Sequence, residues 1–541
     1  MWRKLVIILA AAFHAAALDA HNDDGVRLIV NIVVGQMRSD AVERYAANFS
    51  DSGIGRFLKE GLVLENGYYD FMQTITPATL ATLTTGVNPS MHGAVSDCWV
   101  DYVTGQRVRL TDDQTVRGLD SSDGAGRCSP CNLTLPTVGD NLLSANSDSK
   151  VISVAADALS SVVLSGRKGK AFWFDENNGN FVSSTAYMDR LPTWLIRYNG
   201  LKFPLSYVGS PWTLCKQRDK YQNRRYSVFE FKRADNLTKV MMPAEPKSGN
   251  RIDYRSLLYS PYGNTIVAEF AAQVVSNESL GSDAAVDILN VCFDASRYVC
   301  RRYGPESLEA EDMLYRLDGD IADLIGSITK QVPLDKVLFV LTSDHGSSDS
   351  FDCGPVPADR FNADQFKVIM NSFLSVQFGA GEWVLDYIDR QLYLNHNLIY
   401  QRNLSLKDVQ DRAASFALQF RGVSHVLTSS SMLGGYFGDS YGEKMQNSFY
   451  PRRAGDLMLN LMPGWILECE DAKSQSGSMY DYDTRVPLMM LGWKIPSGGS
   501  SEEFDMTCIA PTLARIMRIN RPIASAGHTI SNLDDILESI D

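Results

Sequence analysis

Beyond its first twenty residues the 541-residue chain lacks any apolar run long enough to cross a bilayer, so no transmembrane segment is expected. It also lacks a surplus of positive charge. Against 64 Asp and Glu there are 51 Lys and Arg, a formal charge of −13. That balance gives no electrostatic case for nucleic acid or an anionic membrane as partner, although a local positive pocket could still hold phosphate. No internal repeat, heptad pattern or low-complexity linker is present. Cys128-Ser-Pro-Cys131 has metal-ligand or redox spacing, but a second Cys-x-x-Cys and an adjacent His are both missing. A local disulfide or two free thiols is the reading that remains. The nine cysteines are odd in number, so at least one is unpaired in a monomer. None sits near the N-terminal leader, which argues against a lipid anchor.

What is present begins with an export signal. Arg3 and Lys4 form a positive start, Leu5 to Ala17 is apolar apart from His14, and small residues allow cleavage after Ala17 or Ala20. Residues 1–20 are therefore expected to be a signal peptide, and the mature chain to be secreted or periplasmic. Sequons begin at Asn48, Asn132, Asn236, Asn277 and Asn403, and matter only in a host that glycosylates exported proteins.

Val26 to Val34 is short, β-branched and nearly continuous, the pattern of a buried central strand in a parallel sheet. The loop from Gly35 to Asp40 follows its C-terminal end, where ligand sites of open α/β sheets gather. Further short strands are expected at 150–154, 171–174, 337–342 and 486–492, and helices at 40–60, 305–330, 405–420 and 508–519. In the helix at 305–330, Leu314, Leu317, Ile321 and Leu324 make an apolar stripe, with Glu309, Asp312 and Arg316 on the polar side. Alternating strands and helices predict an α/β sandwich with a central, mostly parallel sheet over residues 21–541. Residues 190–280, rich in Trp, Tyr, Arg and Lys, are expected to form an inserted cap.

Two short segments carry the chemistry. Thr76 precedes Pro77 and a run of small and apolar residues. Pro suits the first helical position and Thr the N-cap. The Thr76 hydroxyl is thus expected at a helix N-terminus, where it either only caps the helix or binds or attacks a phosphoryl group. The strand at 337–342 runs into Ser343-Asp344-His345-Gly346, and an adjacent carboxylate and imidazole can ligate one zinc ion. Alone, such a pair can also be a hydrogen-bonded remnant.

Together with Val34-Gly35-Gln36-Met37-Arg38, Thr85-Gly86, Pro89-Ser90-x-His92-Gly93, Phe172-Trp173-Phe174-Asp175, Ser260-Pro261-Tyr262-Gly263-Asn264, Tyr303-Gly304-Pro305, Pro463-Gly464-Trp465 and Tyr482-Asp483-Thr484-Arg485-Val486-Pro487, these segments resemble the alkaline phosphatase superfamily. The resemblance covers nearly the whole mature chain and is closest to the bacterial phosphate-irrepressible, PafA-type enzymes with a Thr nucleophile. It implies two-zinc chemistry, in which charge is stabilised on both sides of an in-line displacement. Carried over residue by residue, it places the nucleophile at Thr76 and one zinc on Asp344 and His345. The third ligand of that zinc falls on Gly35. The second zinc's Asp and His fall on Arg297 and Arg301, and its further His on Ser476. The phosphate-clamping Lys and Arg fall on Asp157 and Leu159, and an Asn on Asp97. Of the mature chain's histidines beyond His21, which are His92, His345, His396, His425 and His528, only His345 falls on a ligand motif.

The resemblance therefore implies a pseudoenzyme: the fold kept, most zinc ligands and phosphate contacts replaced, and no cofactor at full occupancy. Arg297 and Arg301 suggest guanidinium charge in place of the second zinc, able to hold a small phosphate, sulfate or carboxylate. The competing expectation is that both are spent on Asp157, Asp97 or other acids. An active phosphate or sulfate ester hydrolase using Thr76 with one weakly bound zinc at Asp344 and His345, and a protein-binding role for the cap, are the alternatives.

Overall fold

The computed structural model describes residues 25–540 except 123, 226–229, 232–237, 240–251, 356, 439 and 470–471. The expected signal peptide and the sequon at Asn236 lie outside the described residues. The fold follows from one strand. β1 (Leu28–Val34) is buried along its length apart from a half-buried Asn31, because layers cover both of its faces. β2 (Leu62–Tyr68) leads into helix α1 (Thr76–Thr85). Then come β3 (Val151–Ala155), α2 (Ala158–Ser165), β4 (Lys170–Asp175) and β5 (Asn180–Ser184). α3 (Tyr262–Glu278), β6 (Asp287–Phe293), α4 (Ala295–Tyr303), α5 (Leu308–Thr329) and β7 (Val337–Ser343) follow. A separate sheet is built from β8 (Val384–Ile388), β9 (Gln391–Leu394), β10 (Val423–Thr428) and β11 (Leu457–Leu461). β12 (Arg485–Gly492), β13 (Gly498–Asp505) and α6 (Ile509–Ile516) return to the main body.

The main sheet has ten strands in the order β13–β2–β12–β7–β1–β6–β3–β4–β5, closed at one edge by the short Gly118–Leu119 strand. β1 pairs in parallel with both β6 and β7, and β6, β3 and β4 continue in parallel. β12 runs antiparallel between β7 and β2. The C-terminal ends of β1, β3, β6 and β7 therefore open on one edge, where α1 begins. All ten residues of α1 are buried. Thr82 and Thr85 satisfy their hydroxyls in that dry setting by donating to the carbonyls of Ala78 and Ala81, at 3.0 and 2.6 Å.

One expectation is revised. Glu309 and Asp312 do not form a polar, solvated side of α5, because both are fully buried. Asp312 accepts hydrogen bonds from the Trp212 indole, the Cys215 amide and Arg316, at 2.6, 2.9 and 2.9 Å. A carboxylate can sit in the core when charged and N–H donors surround it. Two of those donors come from residues 212–215, so the aromatic-rich stretch is fastened to the main body, and α3 packs in its core with Ile266, Phe270 and Val274. The antiparallel sheet β8–β9–β11–β10 has its own core around Trp383, Leu392, Leu459 and Trp465. Among the described residues no helix is long and apolar enough to cross a membrane.

Candidate active site

A cavity of about 640 Å³ opens at the C-terminal ends of the central strands. Thr76, Asp97, Asp157, Leu159, Arg297, Arg301, His345 and Ser476 all line it. Asp344 is buried beneath Thr76, and Gly35 lies against Arg297.

Thr76 does not act as the helix cap expected for it. The cap position is Ile75, and no side chain caps the helix. The Thr76 hydroxyl instead donates to Asp344 Oδ2 at 2.8 Å and accepts from Arg297 Nη1 at 2.8 Å. Asp344 is fixed through its other oxygen, which accepts the Gln36 and His345 amides, each at 2.8 Å. These amides belong to the turns that follow β1 and β7, so strand register sets the carboxylate. His345 Nδ1 lies 2.8 Å from the Gly346 carbonyl, and Nε2 lies 3.2 Å from Asp344 Oδ2 and 3.4 Å from both the Thr76 and Ser476 hydroxyls. Burial pulls the His345 pKa below its ordinary value, against the opposing pull of Asp344. The imidazole is thus neutral near pH 7.

Arg297 is the hub. It donates to Asp157 Oδ2 as well as to Thr76, and lies 3.6 Å from Asp294. Burial alone would lower its pKa, but Asp157, Tyr298 and Asp294 more than reverse this and keep it charged. Tyr298 donates to the other Asp157 oxygen at 2.8 Å. Burial and then Asp157 push the Asp294 carboxyl up. Of the two expectations for the arginines, Arg297 meets the one in which Asp157 takes its charge. Arg301 is exposed and, among the described residues, makes no salt bridge. Asp97 pairs with Arg109 at 3.3 Å.

Gly35 and Arg297 are fitted to each other. A Cβ at residue 35 would stand 2.9 Å from the Arg297 Cβ and 3.3 Å from the Phe293 carbonyl. A carboxylate side chain at 35 therefore has no room beside the present arginine.

The donors available to a metal can be counted. Asp344 and His345 offer two beside Thr76, Gly35 offers none, and the guanidinium of Arg297 has no lone pair to give. Among the described residues no group of three or more His, Cys, Asp or Glu is placed to hold a metal ion. These residues do not match the donor set of a two-zinc centre, whose ions each need at least three protein ligands.

Other cavity residues escaped the sequence reading. Tyr298 and Asp294 complete the Arg297 cluster, and Asp389 and Arg390 enter from the second sheet. Asp389 and Arg390 form the two-residue turn of the β8–β9 hairpin, with φ of 44° and 65°. Turns of that kind usually carry Asn-Gly or Asp-Gly, so Asp-Arg gave no hairpin signal. Asp294 directly follows β6, a strand-end position that could have been noticed.

The sheet order and the grouping at its strand ends define the class, an alkaline-phosphatase-type α/β fold. Within it, the chain belongs to the type I phosphodiesterase / nucleotide pyrophosphatase family, whose model matches residues 29–483. Alkaline phosphatase PafA of Elizabethkingia meningoseptica is 30% identical over 519 residues, covering 94% of each chain. Alkaline phosphatase PhoV of Synechococcus elongatus is 28% identical over 517 residues, covering 94% of this chain and 92% of its own. The crystal structure of wild-type PafA aligns with a TM-score of 0.86 at 27% identity, covering 94% of this chain and 99% of that one.

Proposed function

We propose that this chain is an exported pseudoenzyme of the alkaline phosphatase superfamily, which keeps a ligand cavity at the strand ends without two-zinc catalysis. One observation carries the reading. A charged guanidinium, held by Asp157, donates to the Thr76 hydroxyl from 2.8 Å, and its Cβ abuts Gly35. The side of Thr76 on which the resemblance puts metal ligands is thus filled by a fixed cation. Losing one preorganised charge-stabilising group typically costs about a hundred- to a thousandfold in rate, and several are replaced here. What the cavity retains is the capacity to hold a small anionic ligand: phosphate, sulfate or carboxylate.

A second reading rests on the Thr76 to Asp344 hydrogen bond, which aims the hydroxyl proton at a carboxylate. That contact would suit slow phosphate or sulfate ester hydrolysis, with Asp344 taking the proton and Arg297 supplying positive charge. Hydrolysis of p-nitrophenyl phosphate by purified wild type and Thr76→Ala, across a zinc titration, separates the two. The pseudoenzyme reading expects the same background from both proteins at every zinc concentration. Turnover that disappears in Thr76→Ala, whether or not it rises with zinc, would overturn it.

A further inference from the structure

Arg390 is a buried charge of the cavity that stands outside the Arg297 cluster. Its side chain is only 4% exposed. It lines the cavity together with Thr76, and lies against Ser476 and Gly477. Its guanidinium donates to the Ser476 carbonyl at 2.8 Å, while its Nε has no hydrogen-bond partner. Among the described residues no carboxylate lies within ion-pair distance of it. Its neighbour Asp389 is engaged elsewhere, accepting from Ser96 at 2.5 Å. Asp483 likewise accepts from the Ser478 amide at 2.8 Å and the Ser478 hydroxyl at 2.5 Å. Burial pushes both carboxyls up, Asp483 to about 7.

The backbone adds a second, independent observation. Arg390 follows Asp389 in the left-handed region, at φ 65° after φ 44°, where residues with a Cβ are strained and glycine is at ease. Across from it, Gly477 leaves the space the arginine needs, since a Cβ there would stand 2.3 Å from Arg390 Nη1. A buried cation without a partner is costly, as is a side chain on a left-handed turn. Both costs sit at the tip of one hairpin that enters one cavity.

We propose that Arg390 is the ligand-anchoring residue of this cavity, supplying the guanidinium that pairs with an oxyanion bound between the hairpin tip and Thr76. This rests on the reading of the cavity as an anion site and reassigns its anchor. Arg297 holds Asp157 and Thr76, Arg301 is exposed to solvent, and Arg390 is the buried cation left for the ligand. The Ser476 link places it near the chemistry, because the Ser476 hydroxyl is 3.4 Å from His345 Nε2, which is 3.4 Å from the Thr76 hydroxyl.

Calorimetric titration of the full mature chain with inorganic phosphate, sulfate and acetate tests this, using wild type, Arg390→Gly, Arg390→Lys and Arg301→Gln. A charged hydrogen-bonding pair is lost in Arg390→Gly, so the expected loss is about ten- to a hundredfold in affinity for whichever oxyanion binds. Melting temperature should stay level or rise in that variant, since glycine relieves the turn. Arg390→Lys keeps charge without the planar fork and should weaken binding less, and Arg301→Gln, at the exposed cation of the same cavity, should weaken it less than Arg390→Gly does. Should Arg390→Gly fail to fold, Arg390→Lys decides by its loss of affinity relative to wild type. Unchanged affinity in the Arg390 variants, with loss in Arg301→Gln, would overturn the assignment while leaving the anion site standing. Absence of binding of any of the three anions to wild type would overturn both.

Discussion

The two walls of the cavity are built on opposite principles. On the main-sheet wall the charged groups packed around Thr76 are answered: Arg297 is held by Asp157 and Thr76, Asp157 by Tyr298, and Asp344 by two strand-end amides. On the wall supplied by the second sheet, Arg390 is buried on a strained turn with, among the described residues, one hydrogen bond and no counter-ion. A satisfied network stabilises the fold and leaves nothing over for a ligand. An unsatisfied cation costs stability and keeps a binding capacity in reserve. The difference teaches that a cation's presence in a pocket says little until its partners are known.

The sharpest way to break this comparison is to truncate each arginine. Arg297→Ala leaves Asp157 and the fully buried Asp294 facing each other without their cation. Breaking such a pair from one side should cost about 3 kcal/mol, read as a lowered midpoint in urea unfolding. The corresponding Arg390→Gly change should cost nothing measurable. Equal losses at the two arginines would erase the distinction between the walls.

Next in size is the fit of Gly35 to Arg297. A methyl group at 35 would meet the Arg297 Cβ at 2.9 Å, so Gly35→Ala should cost about 1–3 kcal/mol. Arg297→Gly in the same chain removes that Cβ. The double variant should then lose less than the sum of the singles, and strict additivity would show that the two positions do not press on one another.

A smaller effect should appear in the pH dependence of stability. Burial pushes the Asp483 carboxyl up to about 7 from its ordinary 3.8. Between those values the folded chain keeps a proton that the unfolded chain releases. Stability from this group is therefore fully present at low pH and falls as pH rises toward 7, by at most about 1.4 kcal/mol per pH unit. Asp483→Asn should flatten that part of the profile in unfolding titrations. An unchanged slope would mean that Asp483 is ionised in the folded chain.

Much of this architecture was legible in the sequence because β-branched strands buried on both faces leave a strong pattern. Val26 to Val34 and Val337 to Thr342 announced the central strands, and the segments around Thr76 and Asp344 announced the class. What stayed hidden depended on partners distant in the chain. The Thr76-Pro77 pattern signals a cap, and only the approach of Asp344 and Arg297 diverts the hydroxyl from that role. Glu309 and Asp312 fit a solvated helix face until residues 212–215 arrive to satisfy Asp312 in the core. The hairpin at Asp389-Arg390 lacks the glycine or asparagine that normally marks its kind of turn, so the residue that sets the second wall apart carried no local signal.

A fixed guanidinium stands beside Thr76 where the resemblance puts metal ligands. The most direct measurement is zinc bound per chain, counted by equilibrium dialysis of the wild-type protein at micromolar free zinc. The account predicts that no tightly held ion survives dialysis against chelator, and that unfolding is insensitive to its removal. A pair of zinc ions retained on each chain, with a melting temperature that drops when they are stripped, would contradict it.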